Sequence, residues 1–395
     1  MDGGPVDGGP ADDVSAGVIP RRDDISVEDF VREYLVPNLP VVLGPRFTDD
    51  WPARRLWVAD GRPDFVRLAS LYGGAQVPVT HCGAVDTPDQ QCGEMEFGKF
   101  VDQWRRDPRS GLYCKDWHFA LDREAPQVYS PPSPMSNDWI NVFHDHGGLE
   151  GRDDYRFCYM GGGSTWTPFH EDVFRSYSWS TNICGEKYWI LVPPGQTDLF
   201  TDPVRGWVHN IADPDEVCFP HARRVRRIEF VQGPGETVFV PSGWWHQVRN
   251  IGDTISINHN WANEHNLCHL YRRLAADMAR VRHALRDVAD MDDFVEHAQR
   301  VLRADSGSDY LGFTRFVLHM ANIYLRQLAD PGSISPELRD LDPYFRAEVS
   351  LRRALRLIDD VLELLAADPA ARELDPIPAD VARMRARIAS QIGDA

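Results

Sequence analysis

The chain has 395 residues and a net charge of -18, from 60 acidic and 42 basic residues, and 43% of its residues are hydrophobic. This negative charge argues against a direct nucleic-acid partner, because such proteins carry a basic surface that attracts phosphate. No apolar run approaches the roughly 18 residues that a membrane span needs. The totals therefore predict a globular protein with one large core, an appended module and no membrane partner.

The N-terminal part contains a polar tail followed by mixed elements. Residues 1–22 are rich in Gly, Pro and Asp and lack the features of a secretory signal, which predicts a disordered acidic tail and a cytoplasmic protein, with the nucleus as the alternative location. Ser26 is a predicted N-cap for a helix over 28–34 that leads to a short strand. Across 23–150, short apolar runs alternate with Pro- and Gly-rich loops, which predicts α/β elements packed on the core.

The middle of the chain, 151–264, has a different pattern. Short aromatic and β-branched runs such as "YRFCYMG", "SYSWSTNIC", "EKYWILV" and "TISINHNW" are separated by Gly and Pro. Several strands of this length at this spacing predict an antiparallel sandwich or barrel of jelly-roll type.

The last part, 265–395, is predicted to be helical. Apolar residues recur at steps of three and four along two segments, the first of which includes Leu270, Leu274, Met278, Val281, Leu285 and Val288. These apolar faces need burial against the barrel or a second subunit. We therefore expect a homodimer formed through the C-terminal helices.

The segment "TPFHEDVFRS", 167–176, carries the strongest chemical signal. In a strand, residues two apart share a face, so His170 and Asp172 project together and Glu171 projects the other way. His246, in "VPSGWWHQVRN", lies on a later strand that an antiparallel barrel can place alongside. Two imidazoles and one carboxylate form the facial triad of non-haem Fe(II) oxygenases. A single buried His is more often a hydrogen-bonded core residue, and His-x-Asp alone occurs by chance.

Further polar residues near this motif suggest a second ligand. Lys187, in "CGEKYWILVPPG", is flanked by aromatic residues, and a buried ammonium needs an anion such as a dicarboxylate cosubstrate. Thr167 and Ser180 are candidate hydroxyl donors to the same carboxylate, and Asn258 and Asn260 in "SINHNW" offer amides near the metal. All four could equally be turn or cap residues.

Two weaker hypotheses concern cysteine and tryptophan. The seven cysteines are odd in number and dispersed, which predicts reduced thiols, and the combination of His81, Cys82 and Cys92 is a poor match to zinc spacing rules. An aromatic enclosure that excludes water from the metal is predicted from Trp166, Phe169, Trp179, Trp244, Trp245 and Trp261, each of which could be ordinary core.

These motifs resemble the jumonji-C (JmjC) family of 2-oxoglutarate oxygenases. "PFHEDVF" is similar to the His-x-Asp strand of that family, "GEKYWILVPPG" to its lysine strand and "GETVFVPSGWWHQVRN" to its distal-histidine strand. The resemblance implies an α+β protein with a cupin-like double-stranded β-helix core, N-terminal α/β elements and a C-terminal helical region. It also implies Fe(II) bound by His170, Asp172 and His246, with O2 and 2-oxoglutarate as cosubstrates and Lys187 bound to the distal carboxylate.

The framing pieces resemble a branch of small JmjC hydroxylases over nearly the whole chain after the tail. Members of that branch hydroxylate a lysine of the eukaryotic translation termination factor, so the resemblance implies lysyl hydroxylation of that partner protein. Three alternatives stay open: a protein methyl-lysine demethylase, a non-catalytic scaffold that binds a partner through its helices, and a cupin-type sugar isomerase with zinc or manganese.

Overall fold

The computed structural model describes residues 9–82, 91–122, 128–146 and 154–393. Within these residues the strands in chain order are β1 (Arg21–Arg22), β2 (Val41–Leu43), β3 (Val58–Ala59), β4 (Arg62–Pro63), β5 (Gln76–His81), β6 (Gln91–Glu96), β7 (Leu112–Trp117), β8 (Arg156–Gly161), β9 (Trp166–His170), β10 (Tyr177–Cys184), β11 (Lys187–Val192), β12 (Thr201–Asp202), β13 (Gly206–Trp207), β14 (Ile228–Gln232), β15 (Thr237–Val240), β16 (Trp245–Asn250) and β17 (Thr254–Trp261).

The helices lie before, between and after these strands. They are α1 (Pro10–Ser15), α2 (Val27–Phe30), α3 (Ala53–Leu56), α4 (Phe65–Tyr72), α5 (Phe97–Arg106), α6 (Phe119–Asp122), α7 (Trp139–Asp145), α8 (Leu267–Ala284), α9 (Phe294–Ser306), α10 (Tyr310–Ala329), α11 (Pro343–Arg346), α12 (Glu348–Ala367), α13 (Pro369–Arg372) and α14 (Ile377–Ile392). Among the described helices, none combines the length and the apolar character that crossing a bilayer requires.

The chain divides into two compact units. The sheet unit consists of residues 1–132, 153–172 and 178–260, and the helical unit of residues 133–152, 173–177 and 261–395. The predicted α+β class, with a strand-rich core and a helical C-terminal region, is confirmed.

The sheet unit is a two-sheet sandwich. One sheet has nine strands in the order β1-β2-β15-β10-β17-β8-β7-β5-β6, and the other has four in the order β14-β11-β16-β9. From β8 to β11 and again from β14 to β17, successive strands alternate between the two sheets. This alternation is the jelly-roll arrangement that the strand pattern predicted.

An apolar cluster fills part of the sandwich. Trp189 and Leu191 of β11, Val238 and Val240 of β15 and Val248 of β16 are buried in it. These residues lie two apart on their strands, so the alternation of side chains sends one set inward and leaves the next set on the other face. The register Trp189↔Val248 and Leu191↔His246 places His246 on the same inward face as the cluster.

The N-terminal tail differs from the prediction. Residues 1–8 lie outside the described part of the chain, but Pro10–Ser15 form a helix and Arg21–Arg22 pair with β2. Ile19 is buried in the apolar cluster, and Arg21 forms an ion pair with Glu236. The expected disorder over the whole of 1–22 is therefore wrong from Pro10 onward, because an apolar residue and a charge in the tail find partners on the sheet.

The first predicted helix is present. The Ser26 side chain accepts a hydrogen bond from the Asp29 backbone N–H, and α2 continues as a wider π-helical turn over Val31–Leu35. The predicted N-cap and the helix over 28–34 are confirmed.

In the helical unit, the apolar faces pack on one another. α8 packs on α9 and α12, and α10 and α12 pack on α14. Leu270, Leu274, Met278 and Val281 of α8 are buried as the pattern predicted, although the helix ends at Ala284. Because these faces are buried within one chain, they do not require a second subunit. The homodimer stays a prediction, and it is no longer supported by apolar helix faces that need burial.

Candidate metal centre and cosubstrate pocket

Three side chains from two segments far apart in the sequence converge in the sheet unit. β9 and β16 are antiparallel neighbours, and their register places His170 directly opposite His246. Asp172 follows β9 by two residues. One ligand atom from each of His170, Asp172 and His246 lies within 4.8 Å of the other two. Within the described ranges, these residues are the His, Cys, Asp and Glu side chains that come close enough together, three or more at a time, to hold a metal ion.

Backbone carbonyls orient both imidazoles. His170 Nδ1 lies 2.8 Å from the Pro168 carbonyl oxygen, and His246 Nδ1 lies 3.1 Å from that of Trp244. A carbonyl can only accept, so each Nδ1 donates its proton, and in the neutral form of each ring Nε2 then carries the lone pair. Metal-binding histidines characteristically donate their other ring N–H to a carbonyl or carboxylate. The donor set of two imidazoles and one carboxylate fits a divalent iron ion.

The carboxylate of Asp172 is held by a neighbouring strand. Ser178 Oγ, on β10, donates a hydrogen bond of 2.7 Å to Asp172 Oδ2. The same Oδ2 lies 3.9 Å from His246 Nε2. Both atoms could therefore bind one divalent ion.

The surroundings keep the first histidine neutral. Burial, with the neighbouring His246, lowers the pKa of His170 to about 3. A neutral ring is the form that binds a metal. The Trp189 ring lies 5.8 Å from the His246 ring, stacked on its face, and limits its rotation.

A buried cation lies further inside the same sandwich. Lys187 is 2% exposed, and its Nζ donates a 2.5 Å hydrogen bond to Ser256 Oγ and lies 5.5 Å from the centre of the Tyr159 ring. Across the described ranges, no carboxylate lies within ion-pair distance of this ammonium. Burial lowers the pKa of Lys187 to about 7. The group is thus costly as a cation until an anion arrives.

Polar groups extend from Lys187 along the inner face of β10 and β17. Ser256 Oγ and Ser180 Oγ both donate to Asn258 Oδ1, at 3.0 and 3.2 Å. In the described part of the chain, the amide NH2 of Asn258 has no acceptor, so it can donate to a ligand. Asn260 lies two residues further along the same face of β17. The structure therefore brings Lys187, Ser180 and Asn258 into one hydrogen-bonded group.

The remaining predicted cosubstrate residue, Thr167, does not contact the Lys187 group. Register puts Thr167 opposite Val248, on the face shared by Trp189 and Lys187. Its hydroxyl makes no hydrogen bond to a described residue. Thr167 lies on the correct face without contacting the Lys187 group.

Comparison with known proteins decides the family. The model of the Cupin-like domain family matches residues 27–266. The chain is 40% identical over 312 residues to the "2-oxoglutarate and iron-dependent oxygenase JMJD4" of Gallus gallus, covering 76% of this chain and 73% of the relative. It is 39% identical over 321 residues to the Homo sapiens protein of the same name, covering 77% and 76%. It is also 40% identical over 325 residues to the "Arginine-specific demethylase JMJ20" of Arabidopsis thaliana, covering 77% and 70%.

The chain belongs to the cupin-like JmjC family of 2-oxoglutarate- and iron-dependent oxygenases. As a JmjC oxygenase it uses iron, 2-oxoglutarate and O2. The predicted fold family and cosubstrates are confirmed. The scaffold and sugar-isomerase alternatives do not agree with this membership.

The aromatic enclosure predicted for a JmjC oxygenase is mostly wrong. Phe169 and Trp245 pack in a second apolar cluster on the other face of the four-stranded sheet. Trp179 packs on Trp51 and Tyr129, behind β10. Strand alternation explains both cases, because a residue next to an inward ligand points outward.

The other three aromatic residues divide in the same way. Trp166 pairs with Arg249, on the face opposite that of Thr167 and Val248, and Trp261 packs on Tyr177 within the helical unit. Trp244, two residues before His246, lies in the inner apolar cluster with Trp189. Of the six predicted residues, Trp244 alone shares the face of the metal ligands.

The weaker zinc hypothesis concerns His81, Cys82 and Cys92. Cys82 Sγ donates to the Trp166 carbonyl at 3.4 Å, and Cys92 Sγ lies 3.5 Å from Thr80 Oγ1. Among the described residues, the candidate metal group contains neither of these cysteines nor His81.

Sequence reasoning missed three residues of the JmjC site. Ser178 binds Asp172, Ser256 binds Lys187, and the Tyr159 ring lies beside the ammonium. Two of them had a signal, since Ser178 lies two positions before Ser180 and Ser256 two before Asn258. Strand alternation places such pairs on one face.

Proposed function

We propose that this oxygenase is a protein-lysine hydroxylase whose substrate is the eukaryotic translation termination factor. In this proposal His170, Asp172 and His246 bind the iron, and Lys187 binds the distal carboxylate of 2-oxoglutarate. Thr167, Ser180, Asn258 and Asn260 complete the cosubstrate pocket. The proposal includes action in the cytoplasm, with the nucleus as the alternative location.

One observation carries the proposal. Two imidazoles and a carboxylate meet around a common point, and a buried ammonium without a described carboxylate partner lies in the same sandwich. A metal that must bind an oxo acid needs both parts, because the triad leaves coordination positions open and the ammonium neutralises the far carboxylate. The similarity to two relatives named 2-oxoglutarate and iron-dependent oxygenases supports the same reaction class.

Each residue has a separate task in this reaction. Iron supplies activation of O2, coupled to conversion of 2-oxoglutarate to succinate and CO2. The carbonyls of Pro168 and Trp244 accept from the two Nδ1 atoms and orient Nε2 toward the metal, and Ser178 holds the Asp172 carboxylate in one orientation. Lys187 and the Asn258 amide fix the distal carboxylate, which determines where the reacting end of the cosubstrate lies.

The second candidate reaction is N-demethylation of a protein side chain. It is supported by the 40% identity to a relative named "Arginine-specific demethylase JMJ20", and a more distant relative carries the name "Bifunctional arginine demethylase and lysyl-hydroxylase psr-1". Both reactions oxidise a carbon on a cationic side chain, and a methyl-lysine substrate would follow the same chemistry. Demethylation differs because it releases formaldehyde.

Mass spectrometry separates the two reactions. The protein is incubated with Fe(II), 2-oxoglutarate, O2 and the full-length translation termination factor. We expect the mass of one oxygen atom added to a lysine, equimolar succinate and no formaldehyde. Loss of a methyl group with formaldehyde release would replace the proposal by demethylation, and an unmodified factor would refute the proposed substrate. Asp172→Ala abolishes the modification, whereas Asp198→Ala, at an exposed position of the loop after β11, serves as the control.

A further inference from the structure

A β-bulge interrupts the pairing of β7 with β8 beside the cosubstrate pocket. Cys114 pairs with Met160 and Trp117 pairs with Cys158, so two residues of β7, Lys115 and Asp116, stand opposite the single residue Tyr159. Regular alternation would put Cys114 and Asp116 on one face. The extra residue instead lets Cys114 and Trp117 both be buried and turns the two charged side chains to the face of Tyr159.

The bulge requires an unusual backbone at Asp116. Its φ is +61°, in the left-handed region that Asp and Asn tolerate better than most residues. Bulges of this kind recur next to active sites, where they redirect a side chain. Here the redirected group is a carboxylate.

Asp116 is connected to the pocket through Tyr159. The Tyr159 hydroxyl donates a 2.6 Å hydrogen bond to Asp116 Oδ1, and the ring of Tyr159 lies 5.5 Å from the Lys187 ammonium. The side chain of Asp116 is 52% exposed. The carboxylate is therefore accessible from outside and fixed to a residue that lines the pocket.

The second carboxylate oxygen keeps its capacity to accept. In the described part of the chain, no donor lies within hydrogen-bond distance of Asp116 Oδ2, and the nearest cation, Lys115 Nζ, is 3.9 Å away. The side chain of Lys115 is 19% exposed, so it is far less accessible than that of Asp116. The bulge thus places an accessible carboxylate beside a mostly buried cation, with Asp116 Oδ2 and Lys115 Nζ 3.9 Å apart.

We propose that Asp116 is a specificity-determining residue that binds the cationic end of the substrate side chain. This inference rests on the proposed function and names the chemistry by which a lysine is selected. An ammonium or guanidinium that approaches the metal can pair with Oδ2 while Oδ1 stays bound to Tyr159. An uncharged side chain of the same length gains nothing from this contact.

The variant Asp116→Asn isolates the charge. Asn tolerates the left-handed backbone, and its amide oxygen can still accept from Tyr159, so the bulge is retained. Asp60→Asn is a matched control, because Asp60 is also exposed, has a φ of +50° and lies in the turn between β3 and β4. Both variants remove one negative charge from a left-handed Asp.

The first measurement does not depend on turnover. Mn(II) replaces iron in the full chain with 2-oxoglutarate present, and the probes are N-acetyl-lysine methylamide and its norleucine analogue. We expect Mn(II) to enhance the relaxation of the side-chain protons of the lysine probe more than those of the norleucine probe in the unmodified protein and in Asp60→Asn. This difference disappears in Asp116→Asn. Equal enhancement of the two probes in the unmodified protein, or an unchanged difference in Asp116→Asn, overturns the proposal.

The second measurement separates this inference from the proposed substrate. With the translation termination factor, Asp116→Asn is expected to raise KM by about tenfold, as loss of a charge partner in a binding site does. If the unmodified protein hydroxylates the factor and Asp116→Asn leaves KM unchanged, the inference fails and the proposed function stands. If the factor is not modified but the lysine preference depends on Asp116, the proposed substrate fails and the inference stands.

Discussion

Two buried charged side chains, one in each unit, differ in whether the surrounding residues supply charged partners. In the helical unit, Asp277 is 3% exposed and is bound by Arg273 at 2.8 Å, Arg280 at 2.6 Å and Ser306 at 2.9 Å. In the sheet unit, Lys187 is equally buried and has one hydroxyl and one aromatic ring as its neighbours.

The pKa directions express this contrast. The arginine and serine hydrogen bonds outweigh burial and lower the pKa of Asp277, so the folded state favours its charge. Burial lowers the pKa of Lys187 to about 7, so the folded state disfavours its charge. A charge with its partners in place stabilises the fold, whereas a charge without a partner is retained for a ligand.

The largest expected effect is a loss of iron affinity at the metal centre. Asp172→Ala should lower iron affinity by more than about a hundredfold, because it removes a direct ligand. Its free energy of unfolding should stay near that of the unmodified protein, since Asp172 serves the ion. Anaerobic titration with Fe(II), followed by the visible band that forms with 2-oxoglutarate, measures the iron affinity. Urea denaturation measures the free energy of unfolding. Retained iron affinity would contradict the ligand assignment.

Lys187→Met tests whether the unpartnered cation serves a ligand. The 2-oxoglutarate dissociation constant should rise at least about thirtyfold, because the distal carboxylate loses its counterion. Without ligand, the free energy of unfolding should increase by about 1 kcal/mol or more, because a buried uncompensated charge is replaced by an apolar side chain. Calorimetric titration and urea denaturation give the two values.

Lys99→Met is the matched control for that variant. Lys99 is an exposed lysine of the sheet unit, 70% exposed and paired with Glu96. It should change neither value. A destabilised Lys187→Met would mean that the ammonium contributes to the fold.

Asp277→Asn should have the opposite effect on stability. It weakens hydrogen bonds from two arginines to a buried carboxylate, which should lower the free energy of unfolding by about 2 kcal/mol. Asp287→Asn, at an exposed position beside Arg286, is the control. If Asp277→Asn were neutral, the contrast between the two buried charges would not hold.

Substitutions of two serines on β10 should have separate effects on iron binding and on 2-oxoglutarate binding. Ser178→Ala should weaken iron binding by about tenfold, because Asp172 loses the group that orients it. Ser180→Ala should instead weaken 2-oxoglutarate binding, since Ser180 contacts Asn258. Equal effects of both variants on iron would show that the two parts of the pocket are not separable.

The smallest expected effect is a pH dependence of cosubstrate binding. Lys187 loses its proton near pH 7 in the free protein, far below the usual lysine value of 10.5, so its contribution to the free energy of unfolding is most unfavourable below pH 7 and disappears as pH rises toward 10.5. Binding of a dicarboxylate restores the charge. Above pH 7 the complex must therefore take up a proton, and affinity should fall by up to about tenfold per pH unit.

Calorimetry in two buffers of different ionisation enthalpy measures this proton uptake directly. In Lys187→Arg the guanidinium stays protonated, so the slope should disappear. An equal slope in that variant would assign the pH dependence to another group.

Local rules account for the parts of the site that lie within one strand. The apolar residues around Lys187 and the face shared by Ser180 with its neighbours follow from strand alternation. Alternation does not account for Asp172, because β9 ends at His170. The helical C-terminal part and the Ser26 cap follow from periodicity and capping preferences. The same alternation, applied to each aromatic residue, would have excluded Phe169 and Trp245 from the site.

Tertiary structure alone decided which strands meet. The pairing of β9 with β16 brings His246 opposite His170, and no local pattern specifies a partner so far along the chain. The bulge at Lys115 and Asp116 exists because Cys114 and Trp117 are both buried, which depends on what packs against β7. Side-chain direction is a property of the strand, but register and bulges result from the burial of the whole sheet.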